Sequence, residues 1–425
     1  RIDDEFLKLP VPAVVTPMRD HQRYYPVRNE DGSLMPYFLT VRNGGTKALE
    51  NVQHGNEKVL RARLDDAKFF FENDRKKTLE GHRDDLTRIN YQEGMGDMRD
   101  KADRLQKLTE AIGKDWGFTA EEAADADRAA FLSKSDLATG MVTEFTELQG
   151  EMGKEYALLD GEKPEVAKAI FEQYMPRFAG DILPQQEIGR ALSLADKLDN
   201  LAATFLRGLI PTGSQDPFAL RRQTIGAVNI LTDGKIHWDI RRGIEAALAL
   251  LPGDEETKKT VLSQIEDFFR QRIKAIMLDE GIAYDIIDAV LAGPVDDIYA
   301  LFLKARSMAE SQLKDEADLR QAVTRLANIT KGKTGGKVDP SLFTEDVEKK
   351  LQDAFEAVSA KALPLFASYE YGKALPALKE LTAPINDYLD NVMVMVDDEA
   401  VKNNRISQLL ATLALFNTWG DFSKL

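Results

Sequence analysis

From Gly45 to the last residue, apolar side chains recur at the three- and four-residue spacing of amphipathic helices, and almost nothing reads as strand. Val59, Arg63, Ala67 and Phe70 open one long helical segment, and Thr119 with Glu122 forms a capping box ahead of EEAADADRAAFL. Only the front differs. Between Pro10 and Val41 the stretches PAVVT, RYYPV and YFLTV read as strands, with a turn signal, NEDG, at Asn29 to Gly32. The expected fold class is therefore mainly α, with a small α/β portion at the amino-terminal end.

Breaks in the helical text suggest the organisation. They fall at Gly161 to Pro164, in the PTGSQDP loop from Pro211 to Pro217, at Pro252 to Asp254 and at an elbow, Gly293-Pro294. The clearest linker is GKTGGKVDP, Gly332 to Pro340, whose Asp339-Pro340 is expected to cap and start the next helix. Three parts are expected: an α/β portion over 1–45, a helical domain with flanking helices over 46–315, and a C-terminal helical domain over 316–425. With 425 residues, 43% of them hydrophobic, the chain is long enough for each part to bury a core.

Composition also excludes chemistry. There is no cysteine, so disulfides, thiolate zinc sites and cysteine nucleophiles are ruled out, which fits a reducing cytoplasm. No apolar run approaches the roughly 18 to 20 residues of a membrane span. The first residues, RIDDEFLKLP, have neither a signal-peptide pattern nor an initiator Met, and the expectation is a portion of a longer chain. A formal net charge of -15 argues against diffuse nucleic-acid binding and leaves room for a local basic surface.

Catalytic constellations are scarce. GKTGGK suggests a phosphate loop, but Ala327 stands where the first Walker glycine belongs, and the preceding LRQAVTRLANIT reads as helix rather than strand. The same region, Leu319 to Val338, holds Arg320, Arg325, Lys331, Lys333 and Lys337 and no acidic residue. It is either an anion-facing surface or a solvated helix face and linker. The four histidines, His21, His54, His82 and His237, are not spaced to share a helix face, and GxSxG, GxGxxG and HExxH are absent.

One helix raises the question of metal chemistry. ALSLADKLDNLAAT, Ala191 to Thr204, carries Asp196, Asp199 and Asn200 at helical spacing, and in a His-Asp metal site a helix of this kind supplies the last carboxylate ligand. Such a site needs imidazoles and carboxylates converging on the ion. No histidine lies between His82 and His237, and Ser135 precedes Asp136 where a His-Asp pair would stand. Asp196 is then left almost alone. The expected reading is structural, with Leu194, Leu198 and Leu201 facing a core and Asp196 and Asn200 making local polar contacts.

KSDLATGMVTEFTELQGEMGKEYA (Lys134 to Ala157), PRFAGDILP, SLADKLDNLAATF and RGLIPTGSQDPFALRRQ together resemble the β subunit of the bacterial two-subunit glycyl-tRNA synthetase. The front stretch TPMRDHQRYYPVRNEDGSLMPYFLTVRNG and the ending INDYLDNVMVMVDDEAVKNNRISQLLATLALFNTWGDFSKL resemble it too, so the similarity covers nearly the whole chain. It looks like the C-terminal portion of that longer subunit. The resemblance implies a cytoplasmic glycine-tRNA ligase component that binds and positions tRNA(Gly) within an α2β2 assembly. Glycylation itself is implied for the α subunit, which takes ATP and Mg, with no catalytic residue, cofactor or metal on this chain and no DNA or membrane partner. It further implies a central HD-like helical domain with degenerate ligand positions at Ser135, Asp136 and Asp196, and a DALR-type helical anticodon-binding bundle at the end.

Candidate RNA contacts follow from exposed chemistry. Ile406, Leu409, Leu410, Leu413 and Phe416 form the apolar stripe of the last helix, and Lys402, Asn403, Asn404 and Arg405 at its start offer donors to phosphate or unstacked bases. Arg405 equally has Asp397, Asp398 and Glu399 as neighbouring acidic partners. Tyr369 and Tyr371, with Lys373, are candidates for base stacking or for ordinary packing. Arg325, Lys331, Lys333 and Lys337 complete a basic stretch. A second surface is expected where Arg207, Arg221 and Arg222 flank the PTGSQDP loop, since Asp216 is the only acidic residue from Asn200 to Leu231. Against the tRNA-binding reading stands an HD-type metal-dependent phosphohydrolase, which needs the missing ligands.

Overall fold

A computed structural model describes residues 1–425 and is mainly α. The chain divides into two compact units, Arg1–Ile230 with Arg242–Ile265, and Leu231–Arg241 with Glu266–Leu425. No helix is long and apolar enough to cross a membrane.

In the first unit the sheet is a single hairpin. Strands Tyr25–Arg28 and Leu34–Leu39 pair antiparallel with Tyr25 opposite Leu39, and the intervening turn closes through the Gly32 N–H on the Asn29 carbonyl at 3.0 Å. PAVVT is not a strand as expected but part of a helix, Val11–Thr16. Pro12 sits in its first turn, where a proline lacks no needed N–H. Ala13, Val14, Val15 and Thr16 are all buried, and that continuous burial overrides the β preference of the valines.

The core of this unit is built around one helix, Glu187–Leu206, which is buried on nearly every side from Ile188 to Phe205. Leu194, Leu198 and Leu201 are in the core, as their spacing predicts. Helices Met98–Asp115, Ala120–Leu132 and Pro164–Glu172 pack against it. The Thr119 capping box forms: Thr119 Oγ1 accepts the Glu122 N–H at 3.2 Å and Glu122 Oε2 accepts the Thr119 N–H at 2.9 Å.

In the second unit the last helix, Glu399–Asn417, packs on Ala317–Thr330 and Asp346–Ala367, burying Ile406, Leu409, Leu413 and Phe416. Residues 332–339 form no helix or strand, yet they are fastened to that last helix. The Gly336 N–H donates to Ser407 Oγ at 2.8 Å, and Asn404 accepts from the Asp339 N–H and donates to its carbonyl. Gly335 is required by the close approach: a Cβ there would sit 2.9 Å from Leu410 Cδ1 and 3.1 Å from the Ser407 backbone. Asp339 caps only the short turn Pro340–Leu342, and the next long helix begins at Asp346 behind its own Glu345–Glu348 capping box.

Candidate functional site

The Glu187–Leu206 helix places Asp196, Asp199 and Asn200 against side chains distant in sequence. Lys101 and Arg104 lie one turn apart on Met98–Asp115 and both reach Asp199, at 2.7 Å from Lys101 Nζ and 2.7 Å from Arg104 Nε. Asp196 pairs with Lys134 at 3.0 Å and with Lys101 at 3.2 Å. Asn200 accepts from Tyr91 Oη and Lys101 and donates to Gln223, with distances from 2.7 to 2.8 Å. The polar contacts of Asp196 and Asn200 are therefore long-range rather than local. Asp196 is not left alone, because lysines on other elements close around it.

The electrostatics follow from burial. Burial opposes the charge on Asp196 and Asp199, but the surrounding ammonium and guanidinium groups outweigh it and hold both carboxyls below the ordinary range. Burial would lower Lys101, yet Asp199, Tyr91 and Asp196 hold it up. In Lys134 and Lys197 burial wins, and Lys197 is lowered to about 8 although Asp196 opposes the fall. Burial also pushes the Asp136 carboxyl up, against the amides of Gly150 and Gly153, which both donate to its Oδ2. Gly150 has φ +81°, which suits glycine. Ser135 Oγ is buried without a hydrogen-bond partner. These groups do not fit a metal ion, since a cation at Asp196 would meet Lys101 and Lys134, and no three His, Asp or Glu side chains converge there. The HD-type phosphohydrolase reading fails on this donor set.

The arginines near the PTGSQDP loop have separate surroundings. Arg207 closes the Glu187–Leu206 helix and donates to Gln92 at 3.0 Å. Asp216 is consumed by the next helix, accepting from the Leu220 and Arg221 amides at 2.8 and 3.0 Å. Arg221 is half-buried, whereas Arg222 is exposed and donates to the Arg177 carbonyl at 3.3 Å.

In the second unit, three candidates lie away from the surface. Arg405 is 5% exposed and pairs with Glu348 at 3.0 Å, not with Asp397, Asp398 or Glu399. Its guanidinium also reaches the Met393 carbonyl and Thr344 Oγ1, both at 2.7 Å. The reason is direction: Arg405 sits on the core side of the last helix, facing Asp346–Ala367. Asn404 is buried in its bonds to Asp339, and Tyr371 is packed near Phe366 with ring centroids 5.7 Å apart. A buried ring offers no face to an incoming base.

The others remain accessible. Tyr369 is half-open, with one ring face stacked on His237 at 3.5 Å, and His237 is fixed by Asp297. Lys373 pairs with Glu370 and Lys402 with Glu399, while Asn403 is exposed. Arg325 is tied to Asn386 and Asp390. Lys331 and Lys337 are exposed, and Lys333 donates to the Ile329 carbonyl and lies 3.6 Å from Met395 Sδ. That last contact brings the 331–337 stretch to the loop before the final helix. There Met393 and Met395 are 73% and 55% exposed, an apolar patch beside the basic one. Sequence reading missed both methionines, because nothing local marks VMVMV as solvent-facing.

Comparison with known proteins gives two domain matches. The family described as glycyl-tRNA synthetase beta subunit matches residues 1–292, and the DALR anticodon binding domain matches residues 319–420. Among curated proteins, the glycine-tRNA ligase beta subunit of Clostridioides difficile is 46% identical over 96% of this chain and 59% of its own length. Those of Desulforamulus reducens and Shouchella clausii are each 42% identical over 100% of the chain, covering 61% and 62% of their own lengths. The chain thus spans about three fifths of the curated relatives it matches.

Proposed function

The chain belongs to the family of glycyl-tRNA synthetase β subunits, and from that membership we propose that it is the tRNA-binding part of a glycine-tRNA ligase. In this reading it positions tRNA(Gly) while a separate α subunit performs ATP-dependent glycylation, with ATP and Mg bound there and none on this chain. The assembly is α2β2 and cytoplasmic. The central region, within 46–315, is an HD-like scaffold whose ligand positions Ser135, Asp136 and Asp196 serve packing, and the anticodon-binding domain is 316–425.

One observation carries the reading: the anticodon-domain match at 319–420 encloses the patch of Lys331, Lys333 and Lys337 with Met393 and Met395. Lysines there supply phosphate contacts, and the methionines, with the open edge of Tyr369, offer apolar surface to unstacked anticodon bases. Lys373 and Asn403 lie on exposed positions that extend the donor set, with the half-buried Lys402 beside Glu399; Asn404 and Arg405 brace the last helix from its buried side, and Tyr371 is packed against Phe366.

Binding of tRNA(Gly), with native and altered anticodons, across a salt series tests this. Affinity is expected to fall with salt and to drop further on the anticodon change. Replacing Lys331, Lys333 and Lys337 with Ala is expected to flatten the log-log salt slope by about 0.7 to 0.9 per lost phosphate contact. Binding indifferent to the anticodon, or an unchanged slope, counts against the reading.

The arginines of the first unit address the remainder of the assembly. In the holoenzyme, Arg221→Ala with Arg222→Ala is expected to raise KM for tRNA about tenfold if this edge meets the acceptor arm, as loss of charge-assisted phosphate contacts predicts. Unchanged KM with weaker subunit association assigns the edge to the α subunit instead. With neither changed, Arg221 and Arg222 leave the list of tRNA contacts.

A further inference from the structure

The first unit contains a cavity of about 300 Å³, lined by Lys101, Lys134, Arg177, Lys197 and Arg222, with Asp196 as the one carboxylate among its lining residues. Three of these cations already have a carboxylate: Lys101 on Asp199, Lys134 on Asp196, Arg177 on Asp181. Lys197 and Arg222 do not. Lys197 Nζ is held by two neutral acceptors, the Met175 carbonyl at 2.9 Å and Ser193 Oγ at 2.6 Å, and Arg222 by the Arg177 carbonyl. Each retains N–H donors with no partner among the described residues, and Lys134 uses only one of its three on Asp196.

The carboxylate that acts on Lys197, Asp196, is ion-paired with two other lysines, and a buried ammonium so poorly compensated is unfavourable unless another anion completes it. The environment also excludes the opposite occupant. Asp196 is already neutralised by two lysines, so the cavity repels cations and attracts anions. Its walls add the side-chain amides of Gln149, Asn200 and Gln223 and the rings of Tyr91 and Tyr174, and its size suits a small ligand.

We propose that this cavity is a binding site for a phosphate-class dianion, either inorganic phosphate or a phosphate monoester, with Lys197 and Arg222 supplying the two unpaired positive charges and Lys134 a further donor. Lys197 forms the floor, since it is 3% exposed, and Arg222 stands exposed at the rim. Burial lowers Lys197, and the charge on Asp196 opposes the fall.

The test is titration of the full chain with sodium phosphate and with AMP at pH 7, against sodium chloride at matched ionic strength, followed by calorimetry and by the shift in thermal midpoint. Saturable binding that stabilises the protein with rising ligand concentration is expected. Arg222→Ala is expected to weaken it about tenfold or more, the loss of one charge-assisted contact, with the unliganded midpoint unmoved because the side chain is exposed. Lys197→Met is expected to abolish it. Tighter binding of AMP than of phosphate identifies a nucleotide-borne phosphate as the source; equal or weaker binding identifies the free ion. Phosphate and AMP acting no differently from chloride, or Arg222→Ala binding as tightly as the native chain, would overturn the proposal.

Discussion

Asp199→Ala is expected to destabilise the first unit by about 3 to 5 kcal/mol, the effect of removing one partner from a buried charge network. Asp199 is 1% exposed and is the shared acceptor of Lys101 and Arg104, which are themselves 2% and 9% exposed. Truncating it leaves Arg104 without a carboxylate and Lys101 with only its share of Asp196, in the core between Met98–Asp115 and Glu187–Leu206, the packing on which this unit is centred. Urea unfolding and hydrogen exchange of amides in Glu187–Leu206 measure the effect. Asp199→Asn retains an acceptor oxygen and should lose less. Asp199→Leu combined with Lys101→Met and Arg104→Leu should recover much of the loss, because an apolar cluster of similar volume leaves no charge stranded. A loss below about 1 kcal/mol for Asp199→Ala, the range of an exposed pair, would contradict this account.

Arg405→Ala is expected to be comparably severe in the second unit. Glu348 is fully buried, with Oε1 on Arg405 and Oε2 accepting the amides of Thr344 and Glu345, so one carboxylate joins a helix start to the last helix. Without Arg405 the carboxylate loses its only cation. About 3 kcal/mol or more is again expected. The pair also predicts a pH dependence. Burial would raise the Glu348 carboxyl, but Arg405 and the two amides outweigh it and hold it below its ordinary value. A lowered carboxyl contributes stability that is complete above its unfolded value of about 4.3 and is lost as pH falls through the lowered one. Acid unfolding of the second unit should therefore be shallower in Arg405→Ala than in the native chain. Equal acid sensitivity of the two would remove Glu348 as the responsible group.

What was legible in the sequence was local. The Thr119 capping box, the Asn29–Gly32 turn, the helix breaks and the leucines of Glu187–Leu206 depend on residues a few positions apart, and all are present. Val11–Thr16 was misread because its valines favour strands while its burial, set by other elements, favours a helix. The same limit governed the site. Arg405 and Asn404 stand at a helix start, where donors commonly face solvent, but their partners Glu348 and Asp339 lie 57 and 65 residues away. Asp196 looked isolated because Lys101 and Lys134 approach it only through tertiary packing. The exposed methionines carried no signal at all, since apolar residues in a short segment ordinarily imply a core.

The lysines around Asp196 also bear on how such a chain changes over generations. Turning this pocket into a metal centre requires removing Lys101 and Lys134 and adding imidazoles, and once both lysines are gone Asp196 is a buried carboxylate with neither of its ion-pair partners. Intermediate sequences would be selected against for instability before any new ligand set was complete. The cluster therefore works as an evolutionary ratchet, holding this lineage to its polar core more firmly than any one of its residues could.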